Sequence, residues 1–324
     1  MKHLRLLAAL PLAVTLTACG TSEPAADDTA ETPAASGPVS VVDSRGETVE
    51  LEAPATKVVA LEWMQAESLI TLGVMPVGLA DKEYYNTWVA SAPVDDSVAA
   101  VGSRGEPSTT SVLKLAPDLV IADATTSANA IKALEKQVPV LVVRSADAKD
   151  QLQTMRDGFT MIAEAVGKET EAEEVLADLD AKLAEGKEAI EASDSAGTSF
   201  AFADGWVDGG NVAVRMFGEG SLMSDLAESL GLENAWTQPV DGEWGLGTTD
   251  PEGLTTLEGD VSFFYNQPEE GSDVFVDDLE KNPIWTTLPF VEAGRVYKLD
   301  TGVWTFGGPR SAEKFVDSVV ASLT

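Results

Sequence analysis

Residues 57–81 read KVVALEWMQAESLITLGVMPVGLAD, and this stretch decides the fold class. Lys57-Val58-Val59-Ala60-Leu61 is an apolar run of strand length. Residues 65–72 follow with apolar positions at helical spacing, and Gly73 stands where a helix end favours a left-handed residue. Residues 75–80 (MPVGLA) form a second short strand pattern. Strand, helix and strand in so short a span predict a βαβ unit, and such units build parallel sheets.

The alternation extends outward from this unit. Residues 39–42 and 48–51 are strand patterns around the turn Ser44-Arg45-Gly46. Residues 111–115 are helical, 118–122 a strand, 128–137 a helix and 138–143 a strand. Residues 148–192 differ, with helical spacing through Leu152, Met155, Phe159 and Ile162, a break at Gly167, and renewed spacing through Val175, Leu179, Leu183 and Ile190. The second part is rich in Ala, Glu and Lys, all strong helix formers. Alternation then restarts, with strands at 198–203, 261–265 and 296–299 and helices at 221–230, 250–257 and 310–323, besides a helical turn at 277–281. Val112-x-x-Leu115-x-x-Asp118 before Leu119 is echoed by Leu254-x-x-Leu257-x-x-Asp260 before Val261. The expected fold class is α/β, with two α/β lobes joined by a single long helix. The lobes are expected at 39–165 and 196–324, with the joining helix at 166–195.

Composition excludes several chemistries. The 324 residues carry 21 Lys+Arg against 54 Asp+Glu, for a formal charge of −33. That balance argues against nucleic acid, whose phosphates need cations. The only histidine is His3 and the only cysteine Cys19, so triads, dyads, thiolate zinc sites and His-ligated metal sites have no residues beyond position 19 to build on.

Lys2, His3 and Arg5 precede an apolar run at 6–16, too short for the ~20 residues of a membrane span. The run ends in Leu16-Thr17-Ala18-Cys19-Gly20, which resembles a bacterial lipoprotein signal. That resemblance implies a signal peptide over 1–18 and a diacylated Cys19 at the mature N-terminus. Residues 19–38 are rich in Ala, Pro, Thr, Ser and acids, a composition that cannot bury enough surface to fold and reads as a disordered tether.

Residues 57–81, 101–123 (VGSRGEPSTTSVLKLAPDLVIAD) and 304–312 (WTFGGPRSA) together make the body resemble the substrate-binding proteins of ATP-driven importers of ferric siderophores, haem and cobalamin, above all the ferric-citrate and hydroxamate binders. The resemblance implies two lobes on a rigid helix with the ligand between them, small hinge motion on binding, and no enzymatic activity. The implied partners are a ferric siderophore, an ABC transporter permease and through it an ATPase, and the membrane through the lipid anchor, with the protein a monomer. No cofactor and no protein metal site are expected. A ferric siderophore already surrounds its iron with oxygen, so the lack of His and Cys suits this cargo and suits a zinc or haem receptor poorly. Cobalamin or haem stays the alternative cargo within the family, cobalamin because it needs only aromatic faces and hydrogen bonds. A carboxylate-dependent secreted hydrolase and a surface adhesin are alternatives of other classes, and no nucleophile elbow, phosphate loop or metal motif supports the hydrolase.

Such a cargo calls for aromatic faces and a few arginine forks in a cleft, and cleft loops follow the ends of parallel strands. By position, the expected ligand-binding residues are Trp63, Tyr84, Trp88, Arg104, Arg144, Trp206, Arg215, Trp304 and Arg310, with Tyr85, Trp244 and Phe306 behind them. Trp236 and Trp285 are expected in packing. The resemblance also implies one exposed docking glutamate per lobe for the permease. Glu252, in Thr249-Asp-Pro-Glu252-Gly-Leu, matches the second-lobe position. The first-lobe position falls on Thr110, a departure, and Glu106, four residues earlier, is the other candidate.

Overall fold

Val58, Val59 and Ala60 are all fully buried, as a strand covered by helices on both faces requires. The computed structural model describes residues 37–268 and 272–324. The expected signal peptide, Cys19 and the tether up to residue 36 lie outside the described residues.

The first lobe opens with the hairpin β1 (Val39–Val42) and β2 (Thr48–Leu51). It continues as β3 (Val58–Ala60), α1 (Trp63–Thr71), β4 (Gly78–Leu79), α2 (Lys82–Trp88), β5 (Ala99–Ala100), α3 (Thr109–Lys114), β6 (Leu119–Asp123), α4 (Ala128–Leu134) and β7 (Val140–Val143). Its sheet runs β5-β4-β3-β6-β7, parallel throughout, with β3 at the centre. The order changes direction between β3 and β6, so loops leaving the carboxyl ends of these two strands flank a crevice.

Two helices follow, α5 (Gln151–Val166) and α6 (Glu169–Glu191), separated by Gly167 at φ 66°. By geometry α6 is about 35 Å long. Its Ala172 and Val175 belong to the first lobe's core and its Leu179, Leu183 and Ile190 to the second's. The one helix therefore ties both cores together. α5, in the segment expected to belong to the first lobe, does likewise, with Phe159 and Ile162 in the first core and Met155 in the second.

The second lobe comprises β8 (Ser199–Asp208), β9 (Asn211–Phe217), α7 (Leu222–Ser229), β10 (Glu233–Asn234), β11 (Leu246–Thr249), β12 (Val261–Tyr265), α8 (Pro289–Glu292), β13 (Val296–Lys298) and α9 (Pro309–Leu323). Its sheet runs β11-β9-β8-β12-β13, with β10 also paired to β8. The first strand is longer than 198–203 because it turns through Gly209-Gly210, at φ 55° and 86°, into an antiparallel partner. Two glycines at positive φ are what a two-residue hairpin demands. The segment expected as a helix at 250–257 is a short 3₁₀ turn over Gly253–Thr256. Trp236 and Trp285 are buried in the second lobe's core. Among the described residues, no helix is long and apolar enough to cross a membrane.

Candidate functional site

The site starts from one loop. Residues 300–308, between β13 and α9, belong to the second lobe by sequence, yet Trp304 is buried in the first lobe's core cluster. Gly302 makes the crossing possible: at φ 77° it approaches Ala90 so closely that a Cβ would lie 2.2 Å from the Ala90 methyl. Its carbonyl accepts the Ala90 N–H at 3.1 Å. Trp304 then meets Trp63 with ring centroids 4.8 Å apart and Trp88 at 6.1 Å, and Phe306 continues the chain to Trp244 at 5.1 Å. All three contacts are edge-to-face, the arrangement that ring quadrupoles favour.

A buried carboxylate anchors this loop. Glu67 of α1 is wholly inaccessible and accepts the Ser311 N–H at 2.7 Å and the Ser311 hydroxyl at 2.8 Å, besides the Gly308 N–H. These groups form the first turn of α9, where unpaired N–H groups and the helix dipole favour an anion. The Ser311 hydroxyl in turn accepts the Trp304 N–H at 3.3 Å. A Cβ on Gly307 would stand 2.6 Å from the Glu67 carboxylate, which explains a glycine there. Across the molecule, Asp225 of α7 accepts the Leu152 N–H at 3.0 Å in the first turn of α5.

The cavity this builds, 480 Å³ in volume, lies between the lobes. Glu62, Trp63, Trp88, Arg104 and Ser145 wall it from the first lobe, and Asp204, Arg215, Trp244, Leu246 and the 304–306 loop from the second. Arg104 stacks its guanidinium 4.0 Å from the Trp63 ring centroid and 5.4 Å from that of Trp304, a cation–π clamp. Its Nη1 donates to Glu62 at 2.9 Å and its Nε to Asp81 at 3.3 Å. On the facing lobe, Asp204 lies directly opposite Arg215 in the β8–β9 register and accepts from both its Nε, at 2.9 Å, and its Nη2. Two residues that line the cavity carry a buried donor with no protein partner, the Trp304 indole Nε1 and the Ser145 hydroxyl. Trp63, by contrast, spends its indole N–H on the Ala80 carbonyl.

Trp63, Trp88, Arg104, Arg215 and Trp304 thus meet at one cavity, joined by Trp244 and Phe306. Four other expected residues stand elsewhere. Tyr84, expected in a loop, lies on α2, whose inward face carries fully buried Tyr85, so Tyr84 points outward and is 58% exposed. Trp206 lies at the free end of the hairpin and is 42% exposed. Arg144 is ion-paired with Asp147 beside an adjoining hollow that shares Ser145. Arg310 turns to Glu313, one helical turn along α9, at 2.7 Å. Sequence reading missed Glu62, Ser145, Asp204, Leu246 and Thr305. Asp204 was within reach, because a turn at Gly209-Gly210 pairs residue 208 with 211 and therefore 204 with 215. Glu106, Thr110 and Glu252 are all exposed on the surface. Among the described residues, no group of three His, Cys, Asp or Glu is placed to hold a metal ion.

Burial pushes the carboxyls of Glu62, Glu67, Asp204 and Asp225 above the usual carboxylate range, with the Arg104 and Arg215 charges opposing the shift at Glu62 and Asp204. Such acids hold protons more tightly folded than unfolded. Their stabilising contribution is full below the unfolded pKa and is lost as pH rises through the folded one. Self-repulsion among 54 acids has the same sign. Calorimetry should therefore find the melting temperature falling as the buffer moves from roughly pH 5 to pH 8. A melting temperature that rose over that window would contradict the assignment.

The periplasmic binding protein family model matches residues 58–302. The iron(3+)-hydroxamate-binding protein FhuD of Escherichia coli (strain K12) is 29% identical over 260 residues, covering 80% of this chain and 84% of FhuD. The Fe(3+)-citrate-binding protein YfmC of Bacillus subtilis (strain 168) is 30% identical over 284 residues, covering 86% and 84%. Among solved structures, the siderophore-binding protein FhuD from Vibrio cholerae with bound Fe3+–Desferal aligns with a TM-score of 0.73 at 27% identity, over 83% of this chain and 97% of that one. FeuA of Bacillus subtilis, solved with ferri-bacillibactin, shares the fold with a TM-score of 0.67 at 21% identity, over 86% and 95%. With the match running from the first central strand to the loop that closes the cavity, the chain belongs to the periplasmic binding protein family.

Proposed function

We propose that this protein captures a ferric siderophore between its lobes and delivers it to the permease of an ABC importer, without performing catalysis. The observation that carries this is the cavity wall itself: four tryptophans, Phe306 and two arginines, with two buried donors left unpartnered. A bulky, oxygen-rich complex fits such a wall through aromatic contact and donated hydrogen bonds. The relatives named above for ferric hydroxamate and ferric citrate support the reading. Haem is less suited, because the wall residues include no His, Cys, Met or Tyr to ligate its iron.

The further parts of the proposal follow the same reading. Cys19 carries the lipid that holds the protein at the extracytoplasmic face, residues 20–38 tether the body, and the monomer docks on the permease through Glu252 and Glu106. Glu252 stands exposed at the start of the Gly253–Thr256 turn. Permease docking in turn couples release to the importer's ATPase.

Titrating the purified chain with ferric hydroxamate, ferric citrate and ferric catecholate complexes tests the function. Saturable quenching of tryptophan fluorescence, with a Kd in the micromolar range or below, is expected for at least one class. Absence of saturable quenching with all three would sink the proposal.

A further inference from the structure

We infer that the cavity selects ferric complexes of net charge near zero, the tris-hydroxamate class, and that Glu62 and Asp204 are the residues that exclude polyanionic ones. This rests on the siderophore reading above and narrows it.

The wall carries two cations and two carboxylates, and each cation is already answered. Asp204 takes the Nε–Nη2 edge of Arg215, the geometry of a bidentate ion pair. Glu62 takes Nη1 of Arg104, and Asp81, just behind it, takes Nε. Counting Asp81, the carboxylates outnumber the arginines. The Glu62 and Asp204 side chains are 20% and 13% exposed, so water screens them weakly. A site built for a polyanion would leave its arginine forks unanswered, whereas here Glu62 and Asp204 stand on the same cavity wall as the arginines they pair with.

Hydrogen-bonding capacity nonetheless remains. The carboxylates of Glu62, Asp81 and Asp204 take Nη1 and Nε of Arg104 and Nε and Nη2 of Arg215, leaving Arg104 Nη2 and Arg215 Nη1 outside those pairs, and the Trp304 indole and Ser145 hydroxyl are unpartnered and buried. The site therefore offers N–H and O–H groups without spare positive charge.

Ferric siderophores differ in just this respect. Three hydroxamates, each singly negative, neutralise Fe3+ and leave oxygens on the complex surface that accept hydrogen bonds. Three catecholates, each doubly negative, leave three net charges. A trianion entering this cavity would lose its water and face two buried carboxylates with no unanswered cation. The approach is also unfavourable, since the whole chain carries −33.

The test is a pair of fluorescence titrations of the full chain, with ferrichrome as the neutral tris-hydroxamate and ferric enterobactin as the tris-catecholate trianion. The parent protein is expected to bind ferrichrome at least about 30-fold more tightly. In the variant carrying Glu62→Gln and Asp204→Asn, which keeps side-chain shape, the ratio of the two Kd values should fall by at least about tenfold. Each single variant and a thermal melt accompany it, so that a misfolded protein is recognised and the ratio is read from whichever variant folds. A parent ratio below the expected preference, or a ratio unmoved in folded variants, overturns the inference and leaves the siderophore function standing if either complex binds. Binding of neither complex, nor of ferric citrate, overturns the function itself.

Discussion

Replacing Glu67 by alanine is expected to destabilise the folded body by about 3–5 kcal/mol, because it leaves three buried donors without an acceptor. The contact joins residues 244 positions apart and ties α1 of one lobe to α9 of the other. Its loss therefore acts on the interface between lobes as well as on a helix end. Glu67→Gln preserves the shape, but its amide N–H₂ cannot accept from the Ser311 or Gly308 N–H and can pair only with the Ser311 hydroxyl, turned to accept, so an intermediate cost of about 2 kcal/mol is expected. Urea denaturation followed by circular dichroism measures both. If both variants match the parent to within about 0.5 kcal/mol, the carboxylate has no such role. The same variants should show altered tryptophan emission, since Ser311 passes the constraint from Glu67 to the Trp304 backbone.

The second large effect is expected at Trp304, where truncation to alanine should weaken siderophore binding by about 100-fold and cost about 3–4 kcal/mol of stability. Trp304 touches Trp63, Trp88 and Phe306 and stacks against the Arg104 guanidinium, so it is both a wall of the cavity and a plug between the lobes. Trp304→Phe separates the two roles. It keeps most of the apolar contact and deletes the indole N–H, which has no protein partner. Its expected cost is about fivefold to tenfold in affinity with a small loss of stability. Isothermal titration and thermal melts of the two variants decide the matter: equal affinity of Trp304→Phe and the parent would show that the indole N–H does not meet the ligand.

Much of the architecture was legible because it depends on local pattern. The apolar run at 58–61, the helical spacing after it and the cap at Gly73 are properties of neighbouring residues, and they specify a βαβ unit wherever they occur. The same holds for α6, whose 23 residues, rich in strong helix formers, carry one apolar stripe. Aromatic residues and arginines at strand ends were also readable as cavity candidates, since parallel sheets gather their functional loops at one edge. Local pattern failed where secondary structure re-aims a side chain. Tyr84 and Trp88 look equivalent in sequence and share a face of the short helix α2, one turn apart, yet only Trp88, at the end of the helix, reaches the cavity while Tyr84 stays in solvent.

Glu67 shows the deeper limit. In sequence it is a glutamate on a helix, ordinarily a solvated residue, and only the arrival of α9 makes it a buried cap. Arg104 likewise reads as an unpaired cation in a glycine-rich loop, while folding places Glu62, Asp81 and Trp63 around it. Sequence alone determined the α/β class, the two lobes, the helix between them and the chemical types available for a ligand, because each rests on periodicity and composition within a few turns of chain. Tertiary structure alone decided which of those residues share a cavity, how their charges cancel and what locks the lobes together. Those outcomes depend on contacts between distant segments, whose burial and low local dielectric turn ordinary surface residue types into paired, oriented groups.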